Sequence, residues 1–258
     1  MTETLRNYLE FVVETAYLAG RKTLSYFQTG IQADYKKDRT PVTLADRESE
    51  TFIRQRIEKF YPDHAVLGEE FGDSGDQQVS ARWIIDPIDG TKSFLRGIPL
   101  YAVLIGLELG GVARVGAAYF PALDEMLAAA DGEGCWWNGR SAQVSKVAEL
   151  DSSWVTTTDP GGFAAHGKQS AWERIQKAAY MRGGWGDAYG YLLVATGRVE
   201  VMLDPVMATW DCGPFPPILR EAGGYFGDWK GNSTIYGQEG LATNGLLLPK
   251  VLSLLNQE

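Results

Sequence analysis

Cysteine and histidine are scarce in this 258-residue chain, with two of each. Cys135 and Cys212 are too few and too unpatterned for a disulfide framework, and small buried hydrophobes in a reducing compartment are the expectation for both. Neither His64 nor His166 falls in a metal-ligand spacing, which argues against zinc. Positive charge is short as well: Lys and Arg total 24 against 33 Asp and Glu, a formal net charge of −9. That balance argues against binding nucleic acid or an anionic membrane surface. It leaves an anionic substrate open, because a bound cation inverts the local field. No apolar run approaches the ~20 residues needed to span a bilayer. Met1-Thr2-Glu3-Thr4 is not a cationic region leading into an apolar block, so no signal peptide is expected and the expected location is cytoplasmic.

What is present is a hydrophobic content of 45%, enough to bury a large core. The reading is a single catalytic domain over 1–258, with an N-terminal α+β half (about 1–150) and a C-terminal α/β half (about 151–258). Leu5, Tyr8, Leu9, Val12, Ala16, Ala19 and later residues to Phe27 keep a helical period, with Gly30 placed to end the helix. The polar stretch from Tyr35 to Pro41 follows, and its Lys36, Lys37 and Arg39 would either attract an anionic substrate or form a solvated face. Thr43 and Asp46 have the spacing of a capping box opening a helix through Phe60. Between Glu70 and Arg82 a Gly/Asp/Ser/Gln loop without an apolar anchor is expected to form a mobile rim. Tyr101 to Leu109, Gly110-Gly111 and Val112 to Phe120 read as a hairpin, followed by strands near Glu125 to Ala130 and Trp136-Trp137. A Ser/Thr-rich stretch at 151–158 and Pro160-Gly161-Gly162 mark the expected boundary between halves. Beyond it come a helix from Asp187 to about Gly197, a strand over Val199 to Leu203, and a helix from about Trp210 made irregular by Pro214, Pro216 and Pro217.

The chain is organised around Trp83 to Phe94. Trp83, Ile84 and Ile85 fit a buried strand; Asp86 follows, and Pro87, with no N–H to give, is expected to stop the ladder. Asp89-Gly90-Thr91 then turns into a helix that Asp89 or Thr91 would cap. One carboxylate suffices for capping, and a second close by adds repulsion unless a cation offsets it. Glu69 and Glu70 form another acidic pair behind the apolar Ala65, Val66 and Leu67. Hard oxygen ligands for a cation, beside backbone N–H groups for a phosphate, are the better reading.

Gly68-Glu69-Glu70, Asp86-Pro87-Ile88-Asp89-Gly90-Thr91 and Trp210-Asp211, in that order, resemble the inositol monophosphatase family of magnesium-dependent phosphatases, from about Ala45 to Gly224. The resemblance implies an α/β (α+β) fold, a layered αβαβα sandwich of the inositol monophosphatase and fructose-1,6-bisphosphatase type, and often a homodimer. It implies two or three Mg2+ ions, with Glu69, Asp86 and the carbonyl of Ile88 on one, and Asp86, Asp89 and Asp211 on a second. The implied reaction is direct attack of water on a small phosphate monoester, with Glu69, Asp46 and Thr91 as catalytic residues and Asp46 orienting Thr91. From the residues alone, capping and catalysis remain equally open for Asp46. Gly90 and Thr91 N–H groups would bind phosphate. Asp211 would also cap its helix, and Glu70 would stand behind the ligands or on the surface. Haloacid dehalogenase-type phosphatases use Asp-x-Asp-Gly-Thr, and Ile88 stands where their nucleophile would be.

Within the family, Lys92-Ser93-Phe94, the run from Arg182 to Gly190 and Leu203-Asp204-Pro205-Val206-Met207 look most like the histidinol-phosphate phosphatase branch. Gly186, Asp187, Ala188, Asp204 and Asp211 would contact that substrate, with Asp187 and Asp204 pairing to its cationic groups. Asp187 would otherwise be an N-cap, and Arg182 would meet phosphate or a neighbouring subunit. The alternatives are an inositol-1-phosphate or broad sugar-phosphate phosphatase, or a non-catalytic regulator that binds phosphorylated ligands. None of the motif residues is missing, which counts against the regulator.

Overall fold

A computed structural model describes residues 3–37, 40–76 and 78–257 of the chain. Arg39 of the basic stretch and Gln77 of the expected rim lie outside the described residues. In order, the elements are α1 (Leu5–Leu24), β1 (Asp34–Tyr35), β2 (Pro41–Val42), α2 (Leu44–Phe60), β3 (Ala65–Gly68), β4 (Gly72–Ser74), β5 (Ala81–Asp89) and α3 (Thr91–Leu95). There follow β6 (Ala102–Leu109), β7 (Val112–Phe120), β8 (Glu125–Ala130), β9 (Gly134–Trp137), β10 (Arg140–Ser141), β11 (Trp154–Thr156), α4 (Gly162–Ala165), α5 (Gln169–Ala178) and β12 (Met181–Gly183). The chain closes with α6 (Asp187–Ala195), β13 (Val201–Asp204), α7 (Thr209–Cys212), α8 (Phe215–Glu221), β14 (Tyr225–Gly227), β15 (Gly240–Thr243) and α9 (Leu248–Leu255).

One sheet has eight strands in the order β10-β9-β8-β7-β6-β5-β3-β4, antiparallel except where β3 meets β5. A second has five, β12-β11-β13-β15-β14, with β11 parallel to both neighbours, and β1 and β2 pair as a small antiparallel sheet of their own. Side-chain alternation along the strands builds the layers. Trp83, Ile85, Val103 and Ile105 point to the face packed by Leu9, Val12 and Ala16 of α1 and Ile53 and Ile57 of α2. Ile84 and Leu104 point the other way, onto Leu192 and Val194 of α6 and Phe215 and Ile218 of α8. Met202 of the second sheet meets the same filling, whereas its neighbours Val201 and Leu203 face Trp172 and Ile175 of α5 and Val251 of α9. Helix, sheet, helix, sheet, helix is therefore the stacking, as expected. No helix among the described residues is long and apolar enough to cross a membrane.

Four local expectations change. Helix α1 ends at Leu24, before Phe27, and passes into tighter turns in which the N–H groups of Ser25, Tyr26 and Phe27 donate to the carbonyls of Lys22, Thr23 and Leu24, three residues back. The stretch after Glu70 contains β4, whose anchor is polar: Arg54 of α2 donates to Gly72 O and to Ser74 Oγ. Strand β11 lies inside the Ser/Thr-rich stretch, where the buried hydroxyls of Ser153 and Thr156 donate to Leu150 O and Trp185 O. The helix near Trp210 is split into α7 and α8, with Pro216 and Pro217 in the first turn of α8.

The chain segment joining α7 to α8 lies directly on bare sheet. Gly106 and Gly116 pair across β6 and β7, and a Cβ on them would sit 2.5 Å from Gly213 O and 2.2 Å from Pro214 O respectively. Only residues without side chains permit that approach.

Candidate functional site

Strand β5 does not stop at Pro87. Its ladder with β6 pairs Asp86 with Leu104 and then Asp89 with Ala102, so one extra residue is held in a bulge. Proline is tolerated there because the bulge needs no N–H from it. The Ile88 N–H turns inward and donates to Asp86 Oδ1 at 3.0 Å. Both aspartates thereby reach the same end of the sheet. Gly90 follows at φ 79° and opens α3 without a side-chain cap, contrary to the expected capping by Asp89 or Thr91. A Cβ at Gly90 would lie 3.1 Å from Asp187 Oδ2, so both conformation and space call for glycine.

Thr91 Oγ1 is 3.1 Å from Ile88 O and 3.3 Å from Asp46 Oδ1, and its one proton can serve either. Asp46 is the third residue of α2 and divides its oxygens. Oδ2 accepts the Thr43 N–H at 2.8 Å in the capping box, which leaves Oδ1 for Thr91. Burial pushes the Asp46 carboxyl up to about 6, against the opposing pull of the Thr43 hydrogen bonds. Asp211 is the third residue of α7 and not its cap. Its Oδ2 reaches back to the Ala208 N–H at 2.9 Å.

Oxygens of Asp86, Asp89 and Asp211 lie within 4.8 Å of one another. Burial, and then the charges of neighbouring carboxylates, hold Asp86 and Asp89 well above the usual range, and Asp211 is pushed up to about 7. Crowded acids that resist ionising in the bare protein, offering only oxygen, match what a hard divalent cation requires. Glu69 is not in this triad. Lys36 Nζ donates to Glu69 Oε1 and to Glu70 Oε1, each at 2.8 Å, so the basic stretch does reach the site. The Lys36 ammonium is stabilised, burial opposing it but the bonds to both glutamates prevailing. Glu70 is not a surface group; its side chain is 4% exposed, and burial lifts its carboxyl to about 7.

The turn carrying Glu69 is braced by two residues the sequence reading passed over. Glu50 of α2 is fully buried and accepts from Glu70 N at 2.7 Å, Phe71 N at 3.3 Å and Arg54 Nε at 2.7 Å. Their spacing, Glu then Arg one helical turn on, was the available signal.

On the facing side, Gly186 precedes α6 and Asp187 is its first residue, at φ 49°, rather than its cap. The Asp187 N–H donates to Thr158 Oγ1 at 2.8 Å, and its Oδ2 accepts from Ser93 Oγ at 3.4 Å. Burial and the nearby Asp204 charge raise the Asp187 carboxyl to about 6. Ala188 N–H donates to Asp89 Oδ2 at 2.6 Å, tying α6 to the triad. Asp204 ends β13, with Oδ1 accepting from Thr158 N at 3.0 Å and Thr157 Oγ1 at 3.4 Å, and Oδ2 from the Tyr191 hydroxyl at 2.9 Å. Thr158 and Tyr191 carried no motif by which to find them. Arg182 is not brought in: it stands exposed on β12 and donates to Gln176 O. A cavity of about 360 Å³ opens between Asp89 and Asp211 on one side and Asp187, Asp204 and α4 on the other.

Compared with known proteins, residues 4–258 match the model of the inositol monophosphatase family. The chain is 43% identical over 236 residues to a histidinol-phosphatase of Chlorobaculum parvum, covering 91% of each chain. It is 38% identical over 231 residues to a histidinol-phosphatase of Mycobacterium tuberculosis, covering 88% of each. Its fold superposes on the crystal structure of the extragenic suppressor protein suhB from Bartonella henselae with a TM-score of 0.89, at 27% identity and over 97% of this chain and 98% of that one.

Proposed function

The chain belongs to the inositol monophosphatase family and is a phosphoric monoester hydrolase, and from that premise we propose that it hydrolyses histidinol phosphate to histidinol and phosphate. Magnesium, as two or three ions on Glu69, Asp86, Ile88 O, Asp89 and Asp211, would supply Lewis acidity to the phosphate and to water. The remaining work falls to the chain itself. Thr91, 3.3 Å from Asp46 Oδ1, would orient the attacking water, and Asp46 is fixed for this by its bonds to Thr43. The N–H groups of Gly90 and Thr91, at the start of α3, would hold phosphate oxygens. Ala188 N–H keeps Asp89 aimed, and Lys36, which donates to Oε1 of Glu69, leaves Oε2 of that carboxylate to serve as a ligand.

The observation that carries the substrate reading is the acidic wall opposite the triad. Among the described residues Asp187 uses only Oδ2, and its Oδ1 can pair with an ammonium more strongly than with the neutral hydroxyls of a polyol. The test is phosphate release with magnesium from histidinol phosphate, inositol-1-phosphate and adenosine 3′,5′-bisphosphate in parallel. The expected preference for histidinol phosphate in kcat/KM is about a hundredfold, worth about 2.7 kcal/mol. Comparable rates on all three would overturn the substrate while leaving the phosphatase.

A further inference from the structure

The cavity is larger than the phosphate and its ammonium neighbour need, and its outer wall is built from α4 and the turn before it. Asp159, Ala165, His166 and Val206 line that outer part. The wall is stiffly mounted. Phe163 of α4 is fully buried and stacks on Trp172 with centroids 4.6 Å apart and planes 6° from parallel. The Pro205 carbonyl, beside Val206, accepts from Lys168 Nζ at 3.0 Å, and that ammonium lies 4.2 Å from the Trp229 ring centroid.

An account of acceptor capacity separates the carboxylates of the cavity. Asp89 and Asp211 belong to the triad, and both oxygens of Asp204 are taken by Thr157, Thr158 and Tyr191. Asp187 keeps one oxygen without a hydrogen-bond partner among the described residues. Asp159 is the other side chain with spare capacity: Oδ1 accepts the Gly161 N–H at 2.8 Å, and Oδ2 has no hydrogen-bond partner among the described residues. The His166 ring likewise makes no hydrogen bond among the described residues, and Val206, 51% exposed, offers apolar surface on the same wall.

Resting on the function proposed above, we propose that Asp159 and His166 form a second recognition point, which reads a flat nitrogen heterocycle at the far end of the leaving group while Asp187 takes the ammonium nearer the ester. A ring N–H would donate to Asp159 Oδ2, and the ring faces would lie against His166 and Val206. The substrate class is then a phosphate monoester whose leaving group carries two separated nitrogen functions, one aliphatic and one heteroaromatic.

The test compares histidinol phosphate with 2-aminopropyl phosphate, which keeps the ammonium and lacks the ring. The quantity read is the ratio of kcat/KM for the two, in wild type, Asp159→Asn and His166→Ala, with melting temperatures as the control on folding. The ratio is expected to fall at least about tenfold in Asp159→Asn, the scale of one lost hydrogen bond to a charged group, with the loss in KM rather than kcat. His166→Ala should lower it in the same direction. Ratios within about twofold of a wild type that does prefer histidinol phosphate would overturn this inference alone. A wild type without that preference would overturn the substrate reading and this inference together.

Discussion

Replacing Asp89 by Asn should stabilise the bare protein and abolish turnover. The perturbation is small in shape: the Asn carbonyl can still accept the Ala188 N–H that Asp89 Oδ2 now accepts at 2.6 Å. What changes is charge. With triad oxygens within 4.8 Å of one another, each ionised pair costs roughly 3.5 kcal/mol at an effective dielectric of about 20. The pH dependence follows from the sign of the shifts. The folded-state carboxyls lie above their ordinary value of 3.8, Asp211 at about 7, so the folded protein holds protons the unfolded chain releases. Their favourable contribution is complete below about pH 4 and is lost as the pH rises through about 7. Metal-free wild type should therefore weaken between about pH 5 and pH 8, and Asp89→Asn should weaken less. A gain of about 2–3 kcal/mol near pH 8 corresponds to roughly 4–12 °C in melting temperature for a chain of this size. Magnesium reverses the order. Wild type gains about 2.7 kcal/mol at a concentration of about 100 Kd, and the variant should lose most of that gain. Thermal melts at the two pH values, in EDTA and in magnesium, read both effects. A variant that melts no higher than wild type near pH 8 without metal, or that keeps the full magnesium shift, would refute the assignment of Asp89 to a cation-deficient cluster.

Thr91→Ala should lower kcat by about a hundredfold or more while preserving the magnesium shift; a lost shift would make Thr91 a support of the metal centre rather than of the water. Glu50→Ala leaves Arg54 and two backbone N–H groups without their buried acceptor, and should cost about 3–5 kcal/mol of unfolding free energy in denaturant. A loss below about 0.5 kcal/mol would show that the brace is idle. Gly116→Ala places a methyl 2.2 Å from Pro214 O and should cost about 1–3 kcal/mol while raising the magnesium concentration needed for half-maximal activity. An unchanged magnesium requirement would dissociate α7 placement from that contact.

The parts of this fold legible in the sequence are those with a strong local signal. The alternating run on either side of Gly110-Gly111 became the β6–β7 hairpin, and Asp86 and Asp89 of one motif met Asp211 of another at the end of β5. Pro87 misled because its effect depends on whether the ladder needs an N–H at that position, and a bulge removes the need. Strand β4 was hidden because its anchor is the Arg54 guanidinium, a long-range polar contact with no periodicity. Thr158 was invisible for a similar reason. Its hydroxyl and N–H matter only once β13 and α6 bring Asp204 and Asp187 to it. Asp46 remained ambiguous since one carboxylate has two oxygens, and only the fold shows both in use.

The bare patch made by Gly106 and Gly116 has a consequence for how such an enzyme diversifies. Asp211 is borne by a helix whose following turn rests backbone to backbone on the first sheet, with no side chain between them to exchange. The wall that would meet the leaving group in the function proposed here is made of side chains on α4, α6 and β13 instead. Mutation can redraw that wall one residue at a time while the spacing of the three clustered acids stays as it is. Selectivity and hydrolysis are then separately heritable traits of one chain.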